Sequence, residues 1–224
     1  MTFSIVARCA ATGMFGMAVS SSSPPVAARC AHARAGVGAV ASQNVTDPSL
    51  GPRVLDLMAL GASAEQAVAV VRDSTEHMEF RQLLAVDNRG RTAIHSGPRA
   101  LGVWSSAQGE NVVCGGNLLA DAQVPAVMVE GFQAAQGHLG DRLLAAMQAG
   151  LARGGEAGPI HSAGLKLVDA VSWPVADLRV DWTDECPIAG LAALWALYRP
   201  QLDAYVTRAL HPAGAPSYGV PGDL

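Results

Sequence analysis

Apolar and polar positions alternate in the segment TFSIVARC at residues 2–9, which is also rich in strand-forming residues, and this pattern predicts a β-strand. Within residues 2–22 the segment TFSIVARC is followed by the break ATG and then by MFGMAVSSSS, which predicts a β-hairpin. Residues 24–33, PPVAARCAHA, are expected to form a loop or a short helical turn. Residues 35–44, AGVGAVASQN, are small and mostly apolar, so they predict a third, buried strand.

Helical periodicity with capping signals follows this first group of strands. Asp47 is expected to cap a helix over residues 48–60. Ser63, with Gln66 three residues later, forms a capping-box pattern for a second helix over residues 64–74. The rest of the chain predicts a hairpin turning at DNRG in 80–97, short strands in 101–120, a helical pair in 122–155, two strands in 161–182 and a helix broken near Pro200 in 187–210.

The order of these elements predicts a fold class. Helical pairs separate groups of strands, and turns short enough for hairpins join the strands, so the sheets should be mainly antiparallel. We expect an α+β fold with four layers, an αββα sandwich in which two sheets lie face to face and the helices cover them. One domain is expected over residues 1–224, with a core at 1–208 and a tail rich in proline and glycine at 209–224.

Composition excludes several function classes. Of the 224 residues, 50% are hydrophobic and 15% are charged, with a formal net charge of −4 and no run of Lys or Arg, so we expect no nucleic-acid partner. No signal peptide precedes the first strand and no apolar run reaches ~18 residues, which predicts a cytoplasmic protein without a membrane segment. The apolar content exceeds what one small domain needs and is compatible with a homodimer.

Cofactor and metal sites are not expected. The four cysteines lie far apart without a CxxC pair, which argues against zinc. The segment GVGAVA at 36–41 is similar to a dinucleotide fingerprint, but it lies within a strand instead of between a strand and a helix. Cys9 and Cys114 are expected to be buried thiols. Asp177 and Asp181, four residues apart on a strand, are expected at a solvated edge.

Several segments carry a resemblance to a known family: MTFSIVAR, RAGVGAVASQN, GPRVLDLMALGASAEQAV, VDNRGRTAIHSG, GGNLLA and VADLRVD, which together span most of residues 1–182. With these segments the chain resembles the domain of unknown function 1028 family, which is grouped with the N-terminal nucleophile (Ntn) hydrolases. The resemblance implies a four-layer, Ntn hydrolase-like sandwich. It also implies that the first residue of the mature chain, on the first strand, acts as the nucleophile.

The chemistry of Thr2 agrees with that implication. A threonine hydroxyl is a weak nucleophile at neutral pH and needs an adjacent base. A free α-amino group, with a pKa of about 7.7–8.0, is such a base. Once Met1 is removed, which a small second residue permits, Thr2 carries both groups. We therefore predict an amidohydrolase that cleaves a small-molecule or peptide amide.

Two other functions remain open at this stage. The first is a non-catalytic binding or assembly protein of the same fold that retains Met1. The second is a hydrolase that uses an internal serine or cysteine, although no histidine adjoins Cys9 or Cys114 in the sequence.

Candidate oxyanion donors lie in two segments. In CGGN, Gly116 permits close backbone approach and Asn117 offers an amide. In SQN, Ser42, Gln43 and Asn44 end an apolar strand, which in the hydrolase superfamily runs beside the first strand, so this polar end is expected to face the nucleophile. Either segment is equally compatible with an ordinary turn.

Three further residues are candidates for supporting roles. Several superfamily members place a cation near the nucleophile, and Arg34, which precedes the third strand, is the expected cation here. Lys166, the only lysine, is expected to point to solvent. His95 ends a strand and could serve as an acid or base, or be a satisfied strand-end histidine. Ser162 is a candidate to support the chain terminus.

Overall fold

The computed structural model describes residues 1–220, and the end of the expected tail lies outside the described residues. The strands are β1 Thr2–Arg8, β2 Phe15–Ser21, β3 Ala31–Arg34, β4 Gly38–Asn44, β5 Arg81–Asp87, β6 Thr92–Ser96, β7 Ser105–Gly109, β8 Val112–Asn117, β9 Ser162–Val168 and β10 Ala176–Val180. The α-helices are α1 Val26–Cys30, α2 Leu50–Ala59, α3 Ala64–Asp73, α4 Val124–Ala134, α5 Leu139–Ala152, α6 Pro187–Tyr198 and α7 Leu202–Leu210.

The strands form two antiparallel sheets. The larger sheet has six strands in the order β10-β9-β2-β1-β8-β7, and the smaller sheet has four in the order β3-β4-β5-β6. Every neighbouring pair of these strands is antiparallel, as the sequence predicted. The hairpin predicted for residues 2–22 is confirmed, and β1 lies near the middle of the larger sheet between β2 and β8.

Three clusters of buried apolar side chains separate four layers. One cluster packs the larger sheet against α4, α5 and α6. The second lies between the two sheets, and the third packs the smaller sheet against α2 and α3. The order of layers is therefore helices, sheet, sheet, helices, which confirms the predicted αββα sandwich.

Strand periodicity decides which side chains of β1 reach each layer. Phe3 and Ile5 join the cluster under the helices, whereas Val6 joins the cluster between the sheets. Because successive strand residues point to opposite faces, Thr2 and Ser4 share the inter-sheet face with Val6. The first strand therefore places two polar side chains, Thr2 and Ser4, between the two sheets.

The helices agree closely with their sequence signals. Ser63 and Gln66 form the predicted capping box at the start of α3. Asp47 was expected to cap the next helix, but α2 begins at Leu50, two residues after the expected start, and its N-cap residue is Ser49. Asp47 Oδ1 instead accepts from the Ser49 amide in the turn before the helix. Pro200 lies in a single 3-10 turn that separates α6 from α7, as expected. Among residues 1–220, no helix combines the length and apolar character needed to cross a membrane.

The strand β3 was not predicted. Its first three residues, AHA, were expected in a loop or helical turn and Arg34 before a strand, but all four pair with β4 at the edge of the smaller sheet. The third strand predicted over 35–44 therefore corresponds to β4, which begins at Gly38 after a turn that contains Gly36 with φ of 71°. A strand this short carries too few residues for its periodicity to show in the sequence.

Candidate functional site

Four polar side chains form a line across the larger sheet, here named the polar row: Asn117, Thr2, Ser21 and Ser162. They belong to the neighbouring strands β8, β1, β2 and β9. Thr2 lies opposite Asn117, and Ser21 lies opposite Ser162 in the strand registers. Thr2 Oγ1 is 3.5 Å from Ser21 Oγ. All four residues are buried, at 6% exposure or less, and they face the smaller sheet.

Met1 lies directly in front of the polar row. The hydroxyls of Thr2 and Ser21 both donate to the Met1 carbonyl oxygen. The Met1 side chain passes Gly158, where a Cβ atom would stand 3.3 Å from Met1 Cε and 3.8 Å from Met1 Sδ. Two hydroxyl donors therefore converge on one carbonyl oxygen at the start of the chain.

Ser162, a candidate to support the chain terminus, lies opposite Ser21, and its hydroxyl binds the segment after β2 and not the terminus itself. Ser162 Oγ donates to the Ser23 carbonyl at 2.6 Å and accepts from the Val26 amide at 3.3 Å. The Ser23 amide donates in turn to Ser21 Oγ at 3.0 Å. These bonds position Ser21 beside Thr2.

Glu156 is a buried carboxyl at the same place, and the sequence analysis missed it. It lies in the segment between α5 and β9, is 4% exposed, and accepts from the Ser22 amide through both oxygens at 3.2 Å. Burial raises the pKa of Glu156 to about 7, while the positive chain terminus and the Ser22 hydrogen bonds lower it. The only signal was one acidic residue within the glycine-rich RGGEAGP.

A second set of polar side chains lies behind the polar row, between the sheets: Ser4, Gln43, Gln82 and Asn117, here named the amide network. Ser4 Oγ donates to Gln43 Oε1 at 2.6 Å, and Gln43 Nε2 lies 3.3 Å from Gln82 Oε1. Asn117 Nδ2 donates to Gln82 Oε1 at 2.9 Å. Gln82 was not predicted, although a glutamine inside the apolar strand FRQLLAVD was a visible signal.

The predicted oxyanion donors have other partners in the structure. Gly116 pairs with Phe3 on one side and Ser105 on the other, so its backbone lies inside the sheet, and its carbonyl accepts from Gln82. The Asn117 amide donor is taken by Gln82. Among residues 1–220, Asn117 Oδ1 is buried without a hydrogen-bond partner, which leaves a free acceptor in the polar row.

The three SQN residues were expected to face Thr2 together, and the structure corrects this. Only Gln43 reaches the inter-sheet face, through Ser4. Ser42 points to the opposite face, where its hydroxyl donates to the Asp47 carbonyl at 2.8 Å. Asn44, with φ of 76°, donates to the Phe80 carbonyl at 2.5 Å and accepts from the Leu101 amide at 3.2 Å. Its amide therefore fixes a left-handed strand end.

Arg34 does not lie beside Thr2, which corrects its expected place. It pairs with Gly38 at the far end of β4 from Gln43, a separation of about 17 Å along the strand. Its guanidinium binds Asp56 Oδ1 at 2.7 Å, and both side chains are exposed. Arg34 is therefore a surface ion-pair residue that joins β3 to α2.

His95 agrees with one of its two sequence interpretations, whereas Lys166 differs from its expected place. His95 lies opposite Leu83 on the face that packs against the outer helices, and His95 Nε2 is 2.8 Å from the Met78 carbonyl. It is a satisfied strand histidine away from Thr2. Lys166 was expected in solvent, but its side chain is only 21% exposed. Lys166 Nζ donates to the Ala31 carbonyl and pairs with Asp177, both at 3.2 Å.

The cysteines differ in their surroundings. Cys114 is fully buried, and burial raises its pKa well above the ordinary value, which confirms the predicted buried thiol. Cys9 is only partly buried: burial raises its pKa, but hydrogen bonds from Thr12 and the Ala11 amide outweigh that and lower it. Within the described part of the chain, no three His, Cys, Asp or Glu side chains are grouped to hold a metal ion.

The fold and the polar row together define a class of protein: a four-layer αββα sandwich whose first strand brings a buried threonine to the inter-sheet face. The chain belongs to the Family of unknown function (DUF1028), whose model matches residues 2–191. It is similar to the crystal structure of a Silicibacter pomeroyi protein matched by the same family model, with 29% identity, 88% of each chain covered and a TM-score of 0.82.

More distant solved structures also match. Anbu (ancestral beta-subunit) from Yersinia bercovieri shares 12% identity over 91% of this chain and 97% of its own, with a TM-score of 0.40. The Gly-1 mutant of Anbu from Hyphomicrobium sp. strain MC1 shares 10% identity over 91% and 97%, with a TM-score of 0.41. No curated protein matches the chain.

Proposed function

We propose that this protein is an N-terminal nucleophile amidohydrolase in which Thr2, once Met1 is removed, attacks the carbonyl of a small-molecule or peptide amide. One observation carries the proposal: the hydroxyls of Thr2 and Ser21 converge on a carbonyl oxygen at the start of β1, inside the sandwich. An amide carbonyl held there would stand beside a nucleophile and a hydrogen-bond donor. Both are needed for acyl transfer.

The nucleophile would be activated by its own amino group. Removal of Met1 turns the Thr2 nitrogen from an amide into a free amine with a pKa of about 7.7–8.0, and this amine takes the proton from Oγ1. Oγ1 then bonds to the substrate carbonyl carbon, and the C–N bond breaks as the amine returns the proton to the leaving nitrogen. Water hydrolyses the resulting ester and regenerates the hydroxyl.

Ser21 is the residue best placed to stabilise the oxyanion in this scheme. Its hydroxyl already donates to the Met1 carbonyl oxygen, whereas the Asn117 amide donor and the Gly116 backbone are engaged inside the protein. Asn117 instead offers its free Oδ1, next to Thr2 in the register, as an acceptor for the new amine. The scheme requires neither a metal nor an organic cofactor.

The test compares Thr2→Ala with Thr2→Ser. Alanine and serine both permit removal of Met1, and intact-mass measurement would establish that each sample lacks it. We expect Thr2→Ala to lose amide hydrolysis by roughly a thousandfold or more, because the attacking oxygen is absent, and Thr2→Ser to retain it. Equal hydrolysis by Thr2→Ala and the parent protein, both folded by thermal melting, would exclude Thr2 as the nucleophile.

A second candidate is the binding or assembly protein that keeps Met1. It is favoured by the two hydrogen bonds on the Met1 carbonyl and by the 6% exposure of Thr2, because this arrangement closes the site when Met1 is present. A uniform Met1-containing mass from the native host would support it over the hydrolase. An internal serine or cysteine nucleophile would instead be revealed by mapping the residue that an electrophilic probe modifies.

The setting of the activity is part of the proposal: a cytoplasmic enzyme that acts as a homodimer. The C-terminal helices support the dimer, because α6 is apolar around its circumference. Leu194 and Leu197 are 38% and 70% exposed there, and Leu210 at the end of α7 is 50% exposed. Light scattering on the purified protein tests it, and a monomer at all concentrations would contradict it.

A further inference from the structure

We propose that the substrates are aminoacyl amides, whose acyl group carries a free α-amino group, and that Glu156 binds the ammonium of that group. This inference rests on the proposed function and goes beyond it, because it assigns a substrate class and a recognition residue. The observation behind it is that Met1 already presents such an acyl group to Thr2. Its carbonyl and its side chain each have defined contacts, and Glu156 accepts from the residue next to one of the two donors to that carbonyl.

The carbonyl of Met1 occupies the position at which an acyl group would react. It receives the hydroxyls of Thr2 and Ser21, and it is bonded to the Thr2 nitrogen, the neighbour of the reactive oxygen. An acyl group on Thr2 Oγ1 would be displaced from this position by only about one bond length or two, since Oγ1 and the nitrogen belong to the same residue. Once Met1 has been removed, the space it filled in front of the polar row is open to a substrate.

The Glu156 carboxyl lies beside the donor to the Met1 carbonyl, because it accepts from the amide of Ser22, the residue next to Ser21. The positive chain terminus partly opposes the effect of burial on the pKa of Glu156. Glu156 is held in place by the Ser22 amide, which donates to both of its oxygens, and by the bridge between Leu119 and Glu156. A carboxylate at 4% exposure is costly unless a positive group compensates it. A substrate ammonium would supply that compensation when Met1 is absent.

The side chain of Met1 indicates the shape of the acyl group. It is unbranched and passes Gly158, where even a Cβ atom would come to 3.3 Å of its terminal methyl group. That distance is tighter than ordinary van der Waals contact. The space therefore suits a linear apolar side chain, and methionine amide is a direct probe of it.

Binding is measured first, on the Met1-free Thr2→Ala protein, so that turnover does not interfere. The probes are L-methioninamide and 4-(methylthio)butanamide, which differ only in the α-amino group. We expect L-methioninamide to bind at least about tenfold more tightly, since a hydrogen bond to a charged group contributes that much. Equal affinity for the two probes would overturn the inference.

The role of Glu156 is tested with Glu156→Gln, which keeps the shape and removes the charge, and with Glu110→Gln as a control at an exposed position. We expect Glu156→Gln to abolish the preference for L-methioninamide and to leave the affinity for 4-(methylthio)butanamide unchanged. The control should keep the preference. An equal loss for both probes would mean that Glu156 serves the protein itself, which would overturn its assignment to the substrate.

Hydrolysis of the same two probes by the Met1-free parent protein separates this inference from the proposed function. A binding preference without any hydrolysis would support the aminoacyl site and contradict the amidohydrolase. Hydrolysis of both probes at equal kcat/KM would support the amidohydrolase and overturn the aminoacyl preference.

Discussion

The layer between the two sheets has two halves that are equally buried and chemically opposite. The apolar half contains Val6, Phe15, Met17, Val19, Leu84, Val86 and Val113. The polar half contains the polar row and the amide network. Phe15 is 1% exposed and Gln82 is 0% exposed, so burial does not distinguish the two halves. Only the chemistry of the side chains changes.

The same strands supply both halves. On β1, Val6 lies in the apolar half and Thr2 in the polar half, and on β8 the corresponding pair is Val113 and Asn117. Buried amides contribute less to stability than apolar groups of similar size, because hydrogen bonds in the protein largely replace hydrogen bonds to water. Stability therefore comes mainly from the apolar half, while the polar half retains buried polar groups at a cost in stability.

The largest effect is expected in the apolar half. Phe15→Ala should lower the free energy of unfolding by about 3–5 kcal/mol, because it removes a buried ring and leaves a cavity between the sheets. Urea denaturation measures the loss. Amide hydrolysis per folded molecule should stay unchanged, since Phe15 joins the apolar cluster and not the polar row. A selective loss of hydrolysis would show that the two halves are not separate.

The next effect concerns Glu156, which lies beside the polar half and accepts from the Ser22 amide, next to Ser21 of the polar row. Because burial raises the pKa of Glu156 to about 7, the folded protein holds a proton there that the unfolded chain releases near its ordinary pKa of 4.5. Stability is therefore lost as the pH rises from about 4.5 to about 7, by an amount on the order of 3 kcal/mol.

Glu156→Gln should remove this dependence, so that the variant is more stable than the parent protein at pH 8 and similar to it near pH 4.5. Urea midpoints measured across that range check the prediction. Glu110→Gln is the control and should follow the parent protein. If the urea midpoint of the parent protein does not decrease relative to that of Glu156→Gln as the pH rises from 4.5 to 8, the assigned pKa is contradicted.

A smaller effect should distinguish the two sides of β4: the inner side, where Ser4 of β1 contacts Gln43, and the outer side, where Ser42 lies. Ser4→Ala removes the donor to Gln43 Oε1, and Ser42→Ala removes the donor to the Asp47 carbonyl. Each should cost about 1–2 kcal/mol of unfolding free energy. Only Ser4→Ala should also lower kcat for amide hydrolysis, because Ser4 shares a face with Thr2. A similar kcat for both variants would mean that the amide network does not position the polar row.

The smallest effect is expected outside both halves. Arg34→Ala should cost at most about 1 kcal/mol, because the ion pair with Asp56 is exposed to solvent. Amide hydrolysis should not change, since Arg34 lies at the far end of β4. Thermal melting and a hydrolysis assay on the same sample check both statements. A strong loss of hydrolysis would show that a cation at this distance controls the amine of Thr2.

Local signals in the sequence predicted most of the secondary structure. The capping box of Ser63 and Gln66 and the hairpin over residues 2–22 depend on residues close together in the chain, so their patterns are visible without the fold. The short edge strand β3 was missed, because its pairing with β4 is what makes it a strand.

The candidate site was less accessible to sequence analysis. Thr2 was selected from the chemistry of an N-terminal threonine and from the family resemblance, and its role stays a prediction. Ser21 and Glu156 were missed, because neither residue type nor spacing distinguishes them from surface residues. Arg34 was placed wrongly, since the sequence does not show which end of β4 lies near the first strand.

The face on which each strand residue lies follows from the amino-acid sequence alone, because the period of two is a property of the extended backbone. Thr2 and Ser4 therefore share a face. The residues that contact them are known only from the folded structure: Asn117 beside Thr2, Gln43 against Ser4, and Glu156 at the segment after β2. These contacts join residues far apart in the chain, so their register depends on packing of the whole sandwich and leaves no local pattern to be detected.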